Sequence, residues 1–224
     1  MSPRLTFRAG YELDYTRLRG APETGPGFVV PGNQRVHGVR LALDGQRSGW
    51  HGSLWWNGAR RTGWRRWGGD GDYDPGHADF QRMGAGLTRS IAATPRLALR
   101  FETAVMAGRD LDRFSRYAFG SFDNRLRGYP AALIRYDRGG VIRGSAAWAA
   151  GRFARLDGFV DTAVVRDRGY GTGYRNYTGV GAAVEAPGPF GMLTAAEWGY
   201  GVRGVQGDGG LGTHVIRLSV FKVF

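Results

Sequence analysis

The chain has 224 residues and a formal net charge of +12, with 39 glycines and no cysteine. The lack of cysteine excludes a disulfide framework, a thiolate metal site and a cysteine nucleophile. No apolar run approaches the roughly 18 residues of a membrane-spanning helix, so any membrane span has to consist of strands. The first residues, MSPRLTFRAGYELDY, show no signal peptide, because no apolar segment follows a basic one. If the protein is exported, we expect this sequence to be a mature chain, a fragment or the product of a misplaced start.

Ten segments of the chain alternate apolar and polar residues with a period of two, which predicts strands rather than helices. In the first of them, Leu5, Phe7 and Tyr11 lie on one face, while Arg8 and Glu12 lie on the other. The segments lie near residues 4–18, 34–47, 49–61, 78–93, 96–109, 133–150, 152–167, 174–187, 191–204 and 212–224. Their lengths suit tilted strands that cross a membrane.

The connections between these segments are of two kinds. GQRSG, ATP, AAG and PGPFG are tight turns, whereas residues 19–33, 60–78 and 108–131 form long connections rich in glycine and aspartate. Short turns at one rim and long loops at the other are typical of an outer-membrane barrel, with the turns in the periplasm. The sequence therefore predicts an all-β fold, a single antiparallel transmembrane β-barrel of about ten strands over residues 1–224.

The positions of the aromatic residues favour a barrel over a soluble sandwich. Seven of them lie toward the ends of the apolar faces, as interfacial girdles do: Tyr11, Tyr15, Trp50, Trp56, Trp148, Trp198 and Tyr200. The opposite faces carry charged residues such as Arg100 and Glu102, which a wet barrel interior accommodates. A soluble basic β-sandwich that acts as a binding module is the alternative, because its strands are also two-faced.

The chain ends inside an alternating segment, HVIRLSVFKVF. A terminal aromatic strand resembles the signal by which bacterial outer-membrane barrels are recognised by their insertion machinery. Phe221 and Phe224 are therefore candidate residues of a C-terminal sorting signal. The alternative is that the sequence simply stops in a core strand.

The order of several motifs in the second half of the chain carries a family resemblance. The stretch YAFGSFDNRLRGYP is followed by GGVIRGSAAWAA, LDGFVDTAVVRD and YTGVGAAVEAPGPFGMLTAAEWGYGV, and then by the aromatic end. This order resembles the C-terminal barrel of the BamA/TamA-like superfamily, the bacterial surface antigen group of outer-membrane assembly and two-partner secretion proteins. The resemblance covers about residues 115–224.

The resemblance implies a loop lock. In that superfamily a long extracellular loop folds back into the barrel, and the arginine of its Arg-Gly-aromatic tip meets an inward aspartate of a Phe-x-Asp-x-Gly motif. The matching positions here are Arg127, Gly128 and Tyr129 at the tip, and Phe159, Asp161 and Ala163 in the motif, the last in place of glycine.

The residue types suit such a lock independently of the resemblance. Gly128 permits a tight turn that a side chain would hinder, and the planar fork of Arg127 can hold a carboxylate through two hydrogen bonds. Asp161 lies on the face opposite the apolar Val160 and Val164. If that apolar face meets lipid, we expect the carboxylate to point inward.

The chain differs from the family pattern in two respects. Family members usually carry periplasmic POTRA domains before the barrel, and no segment here shows their mixed helix and strand pattern. The family barrel has about sixteen strands, so the ten segments correspond to its C-terminal part.

The resemblance implies an integral protein of the bacterial outer membrane that inserts or exports other β-rich proteins, without enzymatic activity and without a cofactor. Its partners would be the lipid bilayer, unfolded outer-membrane or secreted polypeptides, and periplasmic proteins. A barrel-embedded enzyme and a passive pore are the alternatives.

Other function classes find little support in the residues. The four histidines, His37, His51, His77 and His214, have no metal-binding spacing, and no nucleophile motif is present. Asp70, Asp72 and Asp74 alternate as calcium ligands do, but no later glutamate completes the loop. The cluster RRTGWRR is a candidate anion site or a solvated loop. Nucleic acid is not expected, because arginines and aromatic residues fall mostly on opposite faces.

Overall fold

The computed structural model describes residues 4–20, 24–63, 67–69, 78–120, 124–151, 153–166, 173–188, 191–203 and 213–222. These residues form twelve strands: β1 (Arg4–Thr16), β2 (Gln34–Arg47), β3 (Trp50–Thr62), β4 (Asp79–Ala92), β5 (Leu97–Arg109), β6 (Tyr117–Ala118), β7 (Arg135–Tyr136), β8 (Arg138–Ala150), β9 (Ala154–Arg166), β10 (Tyr174–Pro187), β11 (Met192–Arg203) and β12 (His214–Lys222).

Ten of the twelve strands form one antiparallel sheet in the order β1-β2-β3-β4-β5-β8-β9-β10-β11-β12. The prediction of an all-β fold with ten long strands is confirmed, and most strand bounds agree within a few residues. The segment predicted near 133–150 is divided, because Arg135 and Tyr136 pair with β6 to form a small ribbon. That ribbon belongs to the connection between β5 and β8, which the structure describes over residues 110–120 and 124–137; these described residues are called the inner loop below.

Tight turns join the strands at one end of the sheet. Ser48 and Gly49, between β2 and β3, have φ values of 45° and 79°. Two successive residues with positive φ match the right-handed twist of the strands, which is the geometry of a two-residue hairpin turn. Gly151, between β8 and β9, and Gly191, before β11, also have positive φ. Glycine adopts this conformation without the steric cost of a Cβ atom.

The two faces of the sheet differ in chemistry. Large apolar side chains are exposed on one face, called the outer face, for example Leu54, Val105 and Val160. The inner loop packs on the other, inner face. The buried hydrophobic cluster lies between them, with Tyr117, Phe119, Leu126, Tyr129, Ile134 and Tyr136 from the loop against Val141, Ala163, Val165 and Tyr177 from the strands.

The strands at the two edges of the sheet are β1 and β12, and no pairing between them occurs among the described residues. Their apolar residues are among the most exposed, with Ile216 at 74% and Leu218 at 77%. The structure thus shows the predicted ten-stranded sheet without a pairing that closes it.

The sandwich alternative requires two packed sheets. It does not fit, because the ten long strands belong to one sheet and its core lies against a loop.

Candidate functional site

The site is built around Arg127, at the turn of the inner loop. Asp161 of β9 accepts three hydrogen bonds from this residue: the backbone N–H of Arg127 and its Nε donate to Oδ2 over 2.9 and 2.8 Å, and its Nη2 donates to Oδ1 over 2.5 Å. The Asp161 side chain is 0% exposed and that of Arg127 is 12% exposed. Burying a carboxylate is costly unless donors such as these charged and backbone groups satisfy it.

Phe159 holds the other side of the same guanidinium. The Cζ atom of Arg127 lies 3.9 Å from the centre of the Phe159 ring. Phe159 and Asp161 are two residues apart on β9 and therefore share the inner face. The edge of the guanidinium bonds the carboxylate while its plane stacks on the ring. A lysine ammonium lacks this planar fork, so it does not replace arginine here.

Gly128 lets the loop approach the sheet closely. Its φ is +92°, and a Cβ atom there would lie 2.6 Å from the carbonyl carbon of Tyr200 in β11. Both the backbone conformation and the lack of space therefore require glycine.

Three glycines of the sheet form a seat for this turn. Added Cβ atoms would lie 1.8 Å from the Arg127 oxygen at Gly179, 2.6 Å from the Gly128 nitrogen at Gly199, and 2.9 Å from the Tyr129 ring at Gly201. All three occupy inner-face positions of β10 and β11. The motifs did not predict this seat, although glycines alternate with larger residues in TGVGAAVE and WGYGV.

Tyr129 bonds the sheet at an irregularity. The pairing of β10 with β11 shifts register between Thr178 and Gly179. The Tyr129 hydroxyl donates to the Thr178 oxygen over 2.8 Å and accepts from the Thr178 N–H over 3.2 Å. Its ring meets that of Tyr177 edge-on, with centres 5.6 Å apart. Tyr129 therefore satisfies backbone groups at a bulge, where ladder hydrogen bonds are disrupted. Both the hydrogen bonds and the ring contact are with β10.

Arg143 of β8 forms a second clamp that the motifs did not indicate. Its Nε donates to the Arg125 oxygen over 2.6 Å, and its Nη2 donates to Asn124 Oδ1 over 2.9 Å. Its Nη1 bonds Glu102 of β5. One buried arginine thus ties two strands to the loop backbone.

Further contacts connect the loop with the strands at the edge of the sheet. Glu197 of β11 accepts from Arg125 and from Arg217 of β12, each over 3.1 Å. Thr213, just before β12, donates to the Gly128 oxygen over 2.6 Å. The turn is therefore in contact with β9, β10 and β11 and with the residue that precedes β12.

The start of the inner loop is anchored on the opposite side. The side chains of Arg61 in β3 and Asp112 are both buried, and Arg61 Nη2 lies 3.3 Å from Asp112 Oδ1. Ser115 accepts from Arg61 over 2.9 Å, and its backbone N–H donates to Asp112 over 2.7 Å. The Arg61 guanidinium also lies 4.2 Å from the Phe80 ring centre. Arg61 belongs to the cluster RRTGWRR, so at least this residue serves the loop instead of a solvated surface.

Tyr117 and Tyr136 stack at the centre of the loop, with ring centres 5.5 Å apart. Burial raises the pKa of each phenol from 10.0 to about 12. Because the folded pKa lies above the unfolded one, their contribution to stability is complete below pH 10.0 and is lost as pH rises through about 12.

We expect the free energy of unfolding to fall between these pH values, and less so in a variant with both tyrosines changed to phenylalanine. Denaturant unfolding at several pH values measures this, with phenolate absorbance as a direct readout. Ionisation of both phenols near pH 10.0 in the folded protein would contradict the prediction.

A cavity of about 290 Å³ lies beside the Arg127–Asp161 contact. Both signs of charge line it, including Arg100, Arg155, Asp157 and Glu185. Such a lining is polar and accommodates water or a polar polypeptide segment.

Phe221 lies at an inner-face position of β12 and is exposed, whereas Phe224, Asp70, Asp72, Asp74 and His77 lie outside the described residues. The described part of the chain holds no group of three or more histidine, aspartate or glutamate side chains arranged for a metal ion. It also contains no helix long and apolar enough to cross a membrane.

Fold and site together define an all-β protein with a ten-stranded antiparallel sheet and a loop clamped on its inner face. Comparison with protein-family models, curated proteins and solved structures found no match. The family resemblance of residues 115–224 therefore stays a prediction.

Proposed function

We propose that the chain is an integral outer-membrane β-barrel protein of the assembly and translocation type. The observation that carries the proposal is the docking of Arg127, Gly128 and Tyr129 on the inner face, with the guanidinium on Asp161 and Phe159. This is the loop lock that the family resemblance implies. It is a contact between two motifs that are distant in sequence.

The chemistry of the outer face supports the membrane part of the proposal. Charged residues at outer-face positions occur only at or near strand ends in the described residues: Arg35, Arg47, Arg60, Asp79, Arg89, Arg109, Arg138, Arg166 and Lys222. Between these ends the outer-face positions carry no charge over about ten residues of strand, the length of a tilted membrane strand. In water such a surface would be far larger than the apolar patches that soluble proteins expose.

In the proposed barrel, β1 and β12 form the two sides of a seam or pair with further strands. Their backbone N–H and C=O groups are open to a partner strand, and exposed edges of this kind add strands from other chains. The proposed substrates are therefore unfolded outer-membrane or secreted polypeptides, delivered by periplasmic partner proteins.

The membrane part predicts that the protein folds only with detergent or lipid. We expect β-type circular dichroism and faster migration of the unheated sample on a gel, because the folded barrel resists the denaturing detergent until it is boiled. A stable, soluble monomer formed without detergent would contradict the proposal.

The assembly part predicts catalysis of membrane insertion. Vesicles that contain the protein should fold a small urea-denatured outer-membrane barrel several-fold faster than empty vesicles. The matched control is the Asp161→Asn variant, reconstituted at equal density, which retains the apolar wall but lacks the ionised lock partner. Equal rates in empty and loaded vesicles would contradict an assembly role.

A passive pore is the second candidate, because the cavity beside the lock is lined by charged residues. Ion conductance across a planar bilayer tests it. A steady conductance that is unchanged by lock variants, together with no effect on insertion rates, would favour the pore.

A further inference from the structure

Two outward-facing arginines flank a tryptophan at the short-turn end of the sheet. Arg47 of β2 pairs with Trp50 of β3, and Trp50 pairs with Arg89 of β4. Directly paired residues of antiparallel strands lie on the same face. The three side chains therefore form one row across three strands, called the arginine row below.

The Arg89 side chain is held in place within this row. Its Nη1 donates to the Ser48 oxygen over 2.5 Å, and its Cζ lies 5.0 Å from the centre of the Trp50 ring. Arg47 is exposed. Neither guanidinium has a carboxylate partner in the described part of the chain. The row therefore presents two cations at the short-turn end of the outer face.

A shallow groove continues from the row into the apolar wall. The next row of paired residues consists of Leu5, Gly45, Gly52 and Leu87. Gly45 and Gly52 lie side by side without side chains, and the leucines form the walls, with Leu5 Cδ1 3.6 Å from a Cβ built on Gly45 and Leu87 Cδ1 3.8 Å from one on Gly52.

We propose that the arginine row and the glycine groove bind one anionic phospholipid. The two backbones are about 10 Å apart, so both guanidinium forks reach one phosphodiester from either side of Trp50. One acyl chain lies over Gly45 and Gly52. The inference rests on the proposed function, in which this rim lies in the periplasmic leaflet and the outer face meets lipid.

Native mass spectrometry of the detergent-folded protein, titrated with phosphatidylglycerol or phosphatidylcholine, tests the site. We expect a preference for phosphatidylglycerol that falls about fivefold with Arg47→Gln or Arg89→Gln and about twenty-five-fold with both, since each arginine near a lipid surface contributes about 1 kcal/mol. The matched control is Arg60→Gln, which removes an outward arginine at the opposite end of β3.

A second variant tests the groove without changing charge. Gly52→Val fills the groove where an added Cβ meets only ordinary contacts. We expect about three- to fivefold weaker phosphatidylglycerol binding from the loss of about one methylene contact.

The same samples separate failure of the site from failure of the proposed function. Unchanged phosphatidylglycerol preference in a double variant that still migrates as a heat-modifiable barrel would overturn the site alone. No preference in the unmodified, folded protein would do the same. Failure of the protein to fold in any detergent would overturn the proposed function and the site together.

Discussion

Replacing Arg127 with alanine should destabilise the docked inner loop by about 3–5 kcal/mol, the typical cost of leaving one member of a buried ion pair without its partner. The Asp161 carboxylate is fully buried, and among the described residues it would retain only the backbone N–H of Arg127 as a donor. The loop is then expected to leave the inner face, because water hydrates the carboxylate once it does. Hydrogen exchange of the loop amides measures this directly, and denaturant unfolding measures its effect on the whole protein.

The reverse substitution should cost less. Asp161→Ala leaves a guanidinium that is 12% exposed, stacks on Phe159 and lines the cavity, where water replaces the lost carboxylate. The double variant should lose less free energy of unfolding than the two single variants together. The second change removes the charge that the first one leaves without a partner. Additive effects would show that Arg127 and Asp161 do not interact in solution.

Arg155→Ala is the matched control for these variants. Arg155 lies on the same strand as Asp161 and forms ion pairs with Asp157 over 3.1 Å and Glu185 over 3.8 Å. Its side chain is 53% exposed, so solvent screens these pairs and we expect a cost below about 1 kcal/mol. An equal loss in Arg155→Ala and Arg127→Ala would contradict a specific role for the lock.

Gly179→Ala is expected to expel the turn from its seat. The added Cβ would lie 1.8 Å from the Arg127 oxygen, and the atom that must move is backbone rather than the end of a flexible side chain. Overpacking against a fixed neighbour costs about 1–3 kcal/mol or more. Because the turn also carries the Arg127–Asp161 contact, we expect the upper end of that range.

Limited proteolysis distinguishes loop release from general misfolding. The Gly179→Ala variant should be cut within residues 124–137 while its ten-stranded sheet still gives heat-modifiable migration. Gly158→Ala is the control, because a Cβ on that glycine of β9 meets nothing within 4 Å. Protection of the loop in Gly179→Ala equal to that in Gly158→Ala would exclude the seat.

The sequence alone determined the strands, their two faces and the ends that carry tight turns. These features follow from local alternation and from turn residues such as Gly49 and Gly151, so they are visible in short windows. The inward position of Asp161 follows from the same alternation. Its pairing with Arg127 does not follow from alternation. That contact was expected from the order of motifs in a family resemblance.

Only the tertiary structure decided how the loop is held. The seat of Gly179, Gly199 and Gly201, the clamp of Arg143 and the bulge satisfied by Tyr129 all join residues distant in sequence. The sequence pattern does not distinguish an inner-face glycine that contacts the loop from one that only follows the alternation of its strand. Its role depends on which atoms approach it, and that is set by the register of neighbouring strands and by the path of the loop between them.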